Sequence, residues 1–212
     1  MTGLSIPRIL RHLSVAAIVA LTLNSCGSSP FGYGKDTRNK VIVSVSEQRM
    51  LLVRDGKPVK TYKISTSKFG LGDRPNSNRT PLGHLQVAKK IGGNAAPGTV
   101  FKGRRPTGEV LKPNAPGRDP IVTRILWLTG SESRNQNTFR RTIYIHGTPE
   151  ENRLGSPASY GCIRMGSRDV IDLYNRLGTG ADVFVIRGSI RKDRDNSDEM
   201  TAGEKPDSPG NS

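Results

Sequence analysis

The chain has 212 residues, of which 24 are Gly, 14 are Pro, 33% are hydrophobic and only 5% are aromatic. That length supports one domain with a single modest core, and the composition favours strands and loops over a helical bundle. Thirty-three Lys+Arg against 18 Asp+Glu give a formal net charge of +15, which favours polyanionic partners, the alternative being that it serves solubility alone.

Residues 1–25 read as an export signal. Arg8 and Arg11 precede the apolar run Leu13 to Leu23, which is too short and badly flanked for a stable membrane span. Leu23-Asn24-Ser25-Cys26 resembles the lipobox of bacterial lipoproteins, in which the cysteine after the cleavage site carries the lipid. Asn24 is unusual there, and the alternative is ordinary cleavage to a soluble secreted product. Removing residues 1–25 takes away two arginines and no acid, leaving 31 basic against 18 acidic residues. Export argues against nucleic acid as the partner of that charge and favours anionic wall polymers or lipid headgroups.

Residues 26–40 read as a flexible tether and 41–188 as one domain. Val41 to Val45 alternates with period two, predicting a strand with one buried face. Met50 to Val53 and Val59 to Ile64 are strand candidates around the turn signal Asp55-Gly56. Residues 68–83 read as a loop and Leu85 to Ile91 as a strand. Residues 92–120 hold the basic patch Lys102-Gly103-Arg104-Arg105 and are rich in Gly and Pro, predicting a long irregular rim. Ile121 to Leu128, containing the only tryptophan, and Arg140 to His146 are further strands. Ser167 is the expected N-cap of one helix carrying Val170, Ile171, Leu173, Tyr174 and Leu177 and closed by Gly178. Asp182 to Arg187 is a last strand. Residues 189–212 lack apolar periodicity and read as a disordered tail.

The two cysteines are Cys26 and Cys162. If Cys26 is lipidated, Cys162 has no intrachain partner, and a lone thiol in an oxidising compartment invites a chemical use; a Cys26–Cys162 disulfide is the bland alternative. A thiolate is a good nucleophile where a thiol is a poor one, and an imidazole can take the proton. His146 ends a strand 16 residues before Cys162, so a loop can fold the two together. Cys162 as a small buried hydrophobe and His146 as a packed strand-end histidine are the structural alternatives. The N–H groups around Gly161 and Cys162 are candidates for an oxyanion hole. Arg164 shares the nucleophile's side of an extended strand and can bind a substrate carboxylate, or be an ordinary surface arginine. One His and one Cys are too few for a structural zinc site.

These residues resemble the YkuD-type L,D-transpeptidase catalytic domain. His146-Gly147 matches the first part of the family pattern; Ser159, Gly161, Cys162, Ile163 and Arg164 match the second. Thr80-Pro81-Leu82-Gly83 looks like its Thr-Pro-x-Gly loop. The resemblance covers roughly residues 40–188. It implies a mostly β, sandwich-like fold with one or two short helices, one of them after the cysteine. It implies Cys162 as nucleophile, His146 as base, the Gly147 carbonyl orienting the imidazole, and no cofactor. Its substrates would be peptidoglycan stem peptides. The thiol would attack the bond before a terminal D-alanine, and an amine from a second stem would resolve the thioester into a cross-link. Water as acceptor would make it a carboxypeptidase or a wall-protein-releasing amidase. Tyr160 departs from the family, which usually has a second histidine there; its hydroxyl can stand in, or the change can mark altered preference or a decayed, wall-binding lipoprotein. The signal and Cys26 imply a cell-envelope or periplasmic location. Gly27, where retained lipoproteins have aspartate, implies lipid anchoring at the outer membrane. Oligomeric state is left open by the sequence.

Overall fold

The structure, a computed structural model, describes residues 34–191. The export signal, Cys26 and most of the tail lie outside the described residues. Ten strands and one α-helix follow in chain order: β1 (Asn39–Ser44), β2 (Arg49–Arg54), β3 (Lys57–Ser65), β4 (Gly83–Ile91), β5 (Thr99–Lys102), β6 (Arg105–Val110), β7 (Ile121–Gly130), β8 (Tyr144–Gly147), β9 (Ile163–Met165), α1 (Ser167–Arg176) and β10 (Asp182–Ile186). The strand order is β4-β10-β1-β2-β3-β9-β8-β7-β5-β6, and β4 also pairs with β7. That last pairing closes eight strands into a ring, with the β5–β6 hairpin attached to β7. The domain is mostly β, as expected, but its layers are faces of one closed sheet. Closure leaves the ring without a free strand edge.

The core follows from the alternation. Val41 and Val43 of β1 point inward with Met50 and Leu52 of β2 and Tyr62 and Ile64 of β3, and α1 contributes Val170 and Leu173, with Leu177 after it. The run Met50 to Val53 lacks alternation because both its faces are covered: Leu51 and Val53 pack outward against Ile190. Ile190 lies in the segment expected to be disordered, so order extends past 188. At the other boundary, Asn39 and Lys40 belong to β1 rather than to a tether. Asp36 accepts from the backbone of Arg38 and Asn39 and from the Gly178 N–H at 2.7 Å, tying the start of β1 to the end of α1.

Three local expectations are corrected. Residues 92–120 are not wholly irregular: they contain the β5–β6 hairpin, whose turn carries Gly103 and Arg104. Every residue of β6 is exposed, so the strand has no buried face to write a period-two pattern. Ser167 is the first helical residue and Gly166 the N-cap. The Ser167 N–H donates to Glu151 Oε1 at 2.8 Å, so a carboxylate from a distant segment caps the helix and leaves the serine hydroxyl to pair with Thr123 Oγ1. Arg140 to Thr142 form a turn, and β8 starts only at Tyr144.

Candidate active site

The site is organised by the parallel pairing of β8 with β9, which sets Ile145 beside Ile163, His146 beside Arg164 and Gly147 beside Met165. Side chains alternate along a strand, so His146, Arg164 and, two residues before it, Cys162 face the same side of this pair. Cys162 lies one residue before β9, so extending the alternation places the thiol on the face of the pair that carries the imidazole.

His146 is 5% exposed, and its Nδ1 lies 2.8 Å from the carbonyl oxygen of Gly147. A carbonyl only accepts, so Nδ1 carries the proton and Nε2 keeps its lone pair in the neutral ring. Gly147 must be glycine here: a Cβ would lie 2.6 Å from the Val122 carbonyl of β7. Burial pulls the imidazole below its usual pKa, opposed by the bond to the Gly147 carbonyl and by the nearby charge of Asp119.

Cys162 is a free thiol, partly open to solvent. Its Sγ donates to the Thr142 carbonyl at 3.6 Å. Enough protein packs around the sulfur that desolvation pushes the thiol up to about 11, against the Tyr144 backbone bond and the charges of Arg141 and Arg164. The resting pair is therefore neutral. Burial thus disfavours the thiolate and the imidazolium alike.

Thr142 and Thr123 are β-branched residues in left-handed backbone, at φ 56° and 71°. Each such residue stores roughly 1–3 kcal/mol. Thr142 aims its carbonyl at the sulfur. Thr123 lies where β7 bulges opposite His146 and Gly147, a device that re-aims side chains near functional sites.

The turn before the cysteine is tightly built. Gly161 is buried at φ 121°, where a side chain would be strained. Ser159 Oγ donates to the Cys162 carbonyl at 2.6 Å and accepts from the Gly161 N–H at 3.2 Å. That N–H is thus already used, and Ser159 holds the turn from within. Thr80, the first residue of the Thr-Pro-x-Gly segment, donates to the Gly161 carbonyl at 2.9 Å and accepts from Ser67 N.

Arg164 is 2% exposed. Its Nη1 pairs with Asp119 and with Glu150 Oε2 at 3.0 Å, while Nε and Nη2 are buried without a partner. It is neither a surface arginine nor an open fork for a ligand carboxylate. Asp119, which also accepts from Thr148 Oγ1, was missed in the sequence. It lies in a Gly/Pro-rich stretch, and nothing in its spacing marks it.

Two surfaces flank the sulfur. On one side Trp127 stacks on Phe139 at 4.1 Å and meets Tyr144 edge-on, and Arg104 of the hairpin turn lies 4.7 Å over Trp127 while donating to the Tyr144 hydroxyl. On the other, a polar cavity of about 410 Å³ is lined by Asn76, Asn78, Arg140, Thr142 and Tyr160, among others. Tyr160 is 64% exposed.

A closed β domain with a free thiol next to the end of the strand pair that buries an imidazole defines a candidate thiol-dependent enzyme domain. Residues 38–186 match the family model of the YkuD L,D-transpeptidase catalytic domain, and the chain belongs to that family. Among solved structures, an L,D-transpeptidase from Mycobacterium smegmatis aligns with a TM-score of 0.46 and 16% identity over 70% of this chain and 58% of that one. One from Mycobacterium tuberculosis aligns at 0.46 and 20% over 71% and 58%. One from Xylanimonas cellulosilytica aligns at 0.45 and 19% over 70% and 60%. The chain spans about three-fifths of the length of these solved chains. No curated protein matches it.

Proposed function

We propose that this chain is an exported L,D-transpeptidase of the cell envelope, anchored through a lipid on Cys26, facing the wall from the outer membrane. Its substrates are peptidoglycan stem peptides. The observation that carries the catalytic reading is the parallel β8–β9 register, with the Nδ1–Gly147 bond that leaves Nε2 of His146 unprotonated in the neutral ring.

In this mechanism His146 Nε2 takes the thiol proton as Sγ attacks the carbonyl before the terminal D-alanine. Charge then appears on sulfur and on the substrate oxygen only as the bond forms. The Cys162 N–H is the candidate donor to that oxygen, since the Gly161 N–H serves Ser159. Collapse expels D-alanine, whose amine takes the proton from His146, and a thioester remains. An amine of a second stem attacks it, His146 accepts the amine's proton, the C–S bond breaks as the new amide forms, and the departing Cys162 sulfur takes the proton back from His146. Asp119 favours the transient imidazolium. Arg164 acts through Asp119 and Glu150 as a positioning residue. Arg104, set over Trp127, and Arg105 form the basic rim toward anionic wall polymer.

The test is product mass from the mature enzyme with a tetrapeptide muropeptide. Loss of D-alanine with a cross-linked dimer is expected. A tripeptide monomer alone would assign the hydrolytic alternative. A decayed scaffold is favoured only by the high resting pKa of the thiol and by Tyr160; the absence of any adduct with a β-lactam acylating probe would select it.

A pH profile tests the neutral-pair mechanism. The base must be unprotonated, and its pKa is below 6.5. Acylation should rise with pH through a limb below 6.5 and then stay level toward pH 10, because the thiol titrates only at about 11. A fall in rate above pH 8 would instead indicate a preformed ion pair.

A further inference from the structure

Tyr160 stands where the family usually carries histidine, and its surroundings are built around a cation. Its hydroxyl accepts from Lys68 Nζ at 2.9 Å. The same ammonium lies 4.3 Å from the centre of the Tyr160 ring and 5.3 Å from that of Phe69. Phe69 in turn packs against Tyr160 at 5.4 Å between ring centres. The two segments are held backbone to backbone: Ser67 bridges Ser159 in parallel, and Lys68 N–H donates to the Ser159 carbonyl. The lysine is therefore delivered to the phenol by the fold and is not a loose surface chain meeting it by chance.

Tyr160 also walls the polar cavity beside the nucleophile, together with Thr142, whose carbonyl holds the thiol. Arg140 lines the same cavity, and its guanidinium donates to Asn137 Oδ1 at 3.1 Å. Among the described residues neither Lys68 nor Arg140 is paired with a carboxylate. Arg141, the other arginine of the cavity, is paired with Asp73. Glu150 and Arg153 also act on the Tyr160 phenol, but they are bonded to each other, and Glu150 also serves Arg164. The cavity is thus lined by one cation without an acid, Arg140, by the amides of Asn76 and Asn78 and by a phenol, Tyr160, that holds a second such cation, Lys68.

We propose that Lys68, Tyr160 and Arg140 form a carboxylate-reading station that selects wall peptides bearing a free carboxylate close to the scissile bond. The inference rests on the transpeptidase reading and assigns its substrate preference. The exposed ammonium and guanidinium bind the anion, and the Tyr160 ring fixes the ammonium in place by cation–π attraction. In a stem peptide the carboxylate has two sources: the C-terminus of the leaving D-alanine and the side-chain carboxylate of the preceding diaminopimelate.

The test is calorimetric binding to the Cys162→Ala protein, which holds peptide without turning it over. Three tetrapeptides are compared: free, C-terminally amidated and side-chain amidated. One of the two amidations should weaken binding about tenfold, and which one does identifies the source. Lys68→Met and Arg140→Gln should each weaken the free peptide by a similar factor and leave the discriminated amide unchanged. Tyr160→Phe should show a smaller loss and Tyr160→Leu, which also removes the ring, a larger one. All three side chains are exposed, so melting temperature should not move. Equal binding of all three peptides, or an equal loss for every peptide in Lys68→Met, would overturn the station. Acylation of the wild-type protein is measured separately: its failure would refute the transpeptidase reading while leaving the binding comparison to judge the station.

Discussion

Cys162→Ala should abolish acyl-enzyme formation and the cross-linked product, a loss of about 10⁴-fold or more in turnover, while the protein melts within a few degrees of the wild type. Fold and chemistry separate here because the sulfur contributes little to the core: Cys162 is partly open, only borders the cluster of Phe101, Ile125 and Tyr144, and is held by backbone bonds to Thr142, at a long 3.6 Å, and Tyr144. His146→Ala should give a different signature. The base contributes about 10²–10⁴-fold, and what remains should climb steadily with pH as the thiol ionises toward about 11. Wild-type rates should instead be flat over that range. Electrospray mass of the protein with substrate reads the acyl-enzyme directly, and stopped-assay rates from pH 5 to 10.5 read the slopes. Full acylation of the alanine variant would remove Cys162 from the mechanism. A His146→Ala profile parallel to the wild type would remove His146.

How much of this was legible in the sequence depends on burial. β1 and β4 were readable because each buries one face, and β7 and the first hairpin because their apolar runs are bounded by local punctuation. β6 buries nothing, and β9 has three residues preceded by a glycine turn, so neither left a periodic trace. Cys162 and His146 stood out by their chemistry, and Gly147 and the Thr80 segment by resemblance to the family pattern. The sequence assigned Arg164 an open face, whereas β8, Asp119 and Glu150 enclose it. Asp119 and Lys68 could not be found by spacing: each gains its partner from a segment 27 or more residues away, Asp119 from Thr148, His146 and Arg164 and Lys68 from Tyr160. Tyr160 was visible as a departure, but the lysine that gives the departure a meaning was not.

Asp73→Ala should be the most damaging change outside the thiol–imidazole pair, lowering stability by about 3–5 kcal/mol and melting temperature by roughly 10 °C. Asp73 is 7% exposed and answers four donors from the turn before β8: Arg141 Nη1 at 2.8 Å, Asn137 N at 2.6 Å and, more weakly, Thr138 Oγ1 through its carboxylate, and the Asn137 side chain through its carbonyl. Alanine keeps the carbonyl and deletes the rest, leaving the Arg141 charge inside the protein with only the Gly72 and Arg79 carbonyls. An unpaired interior charge costs more than the pair contributed. The consequence reaches the chemistry because the next residue is Thr142, held in left-handed backbone with its carbonyl on the sulfur. That strain persists only while its surroundings over-determine it. Once the Arg141 anchor loosens, Thr142 should relax toward ordinary backbone, release the thiol and open the wall of the polar cavity. Acylation should then fall at temperatures where the variant is still folded, whereas a purely global destabilisation would leave the folded fraction fully active. Chemical denaturation paired with acylation rates on the folded protein distinguishes the two; a variant that loses several kcal/mol yet acylates at the wild-type rate would show that the Asp73–Arg141 pair supports the fold without setting the nucleophile.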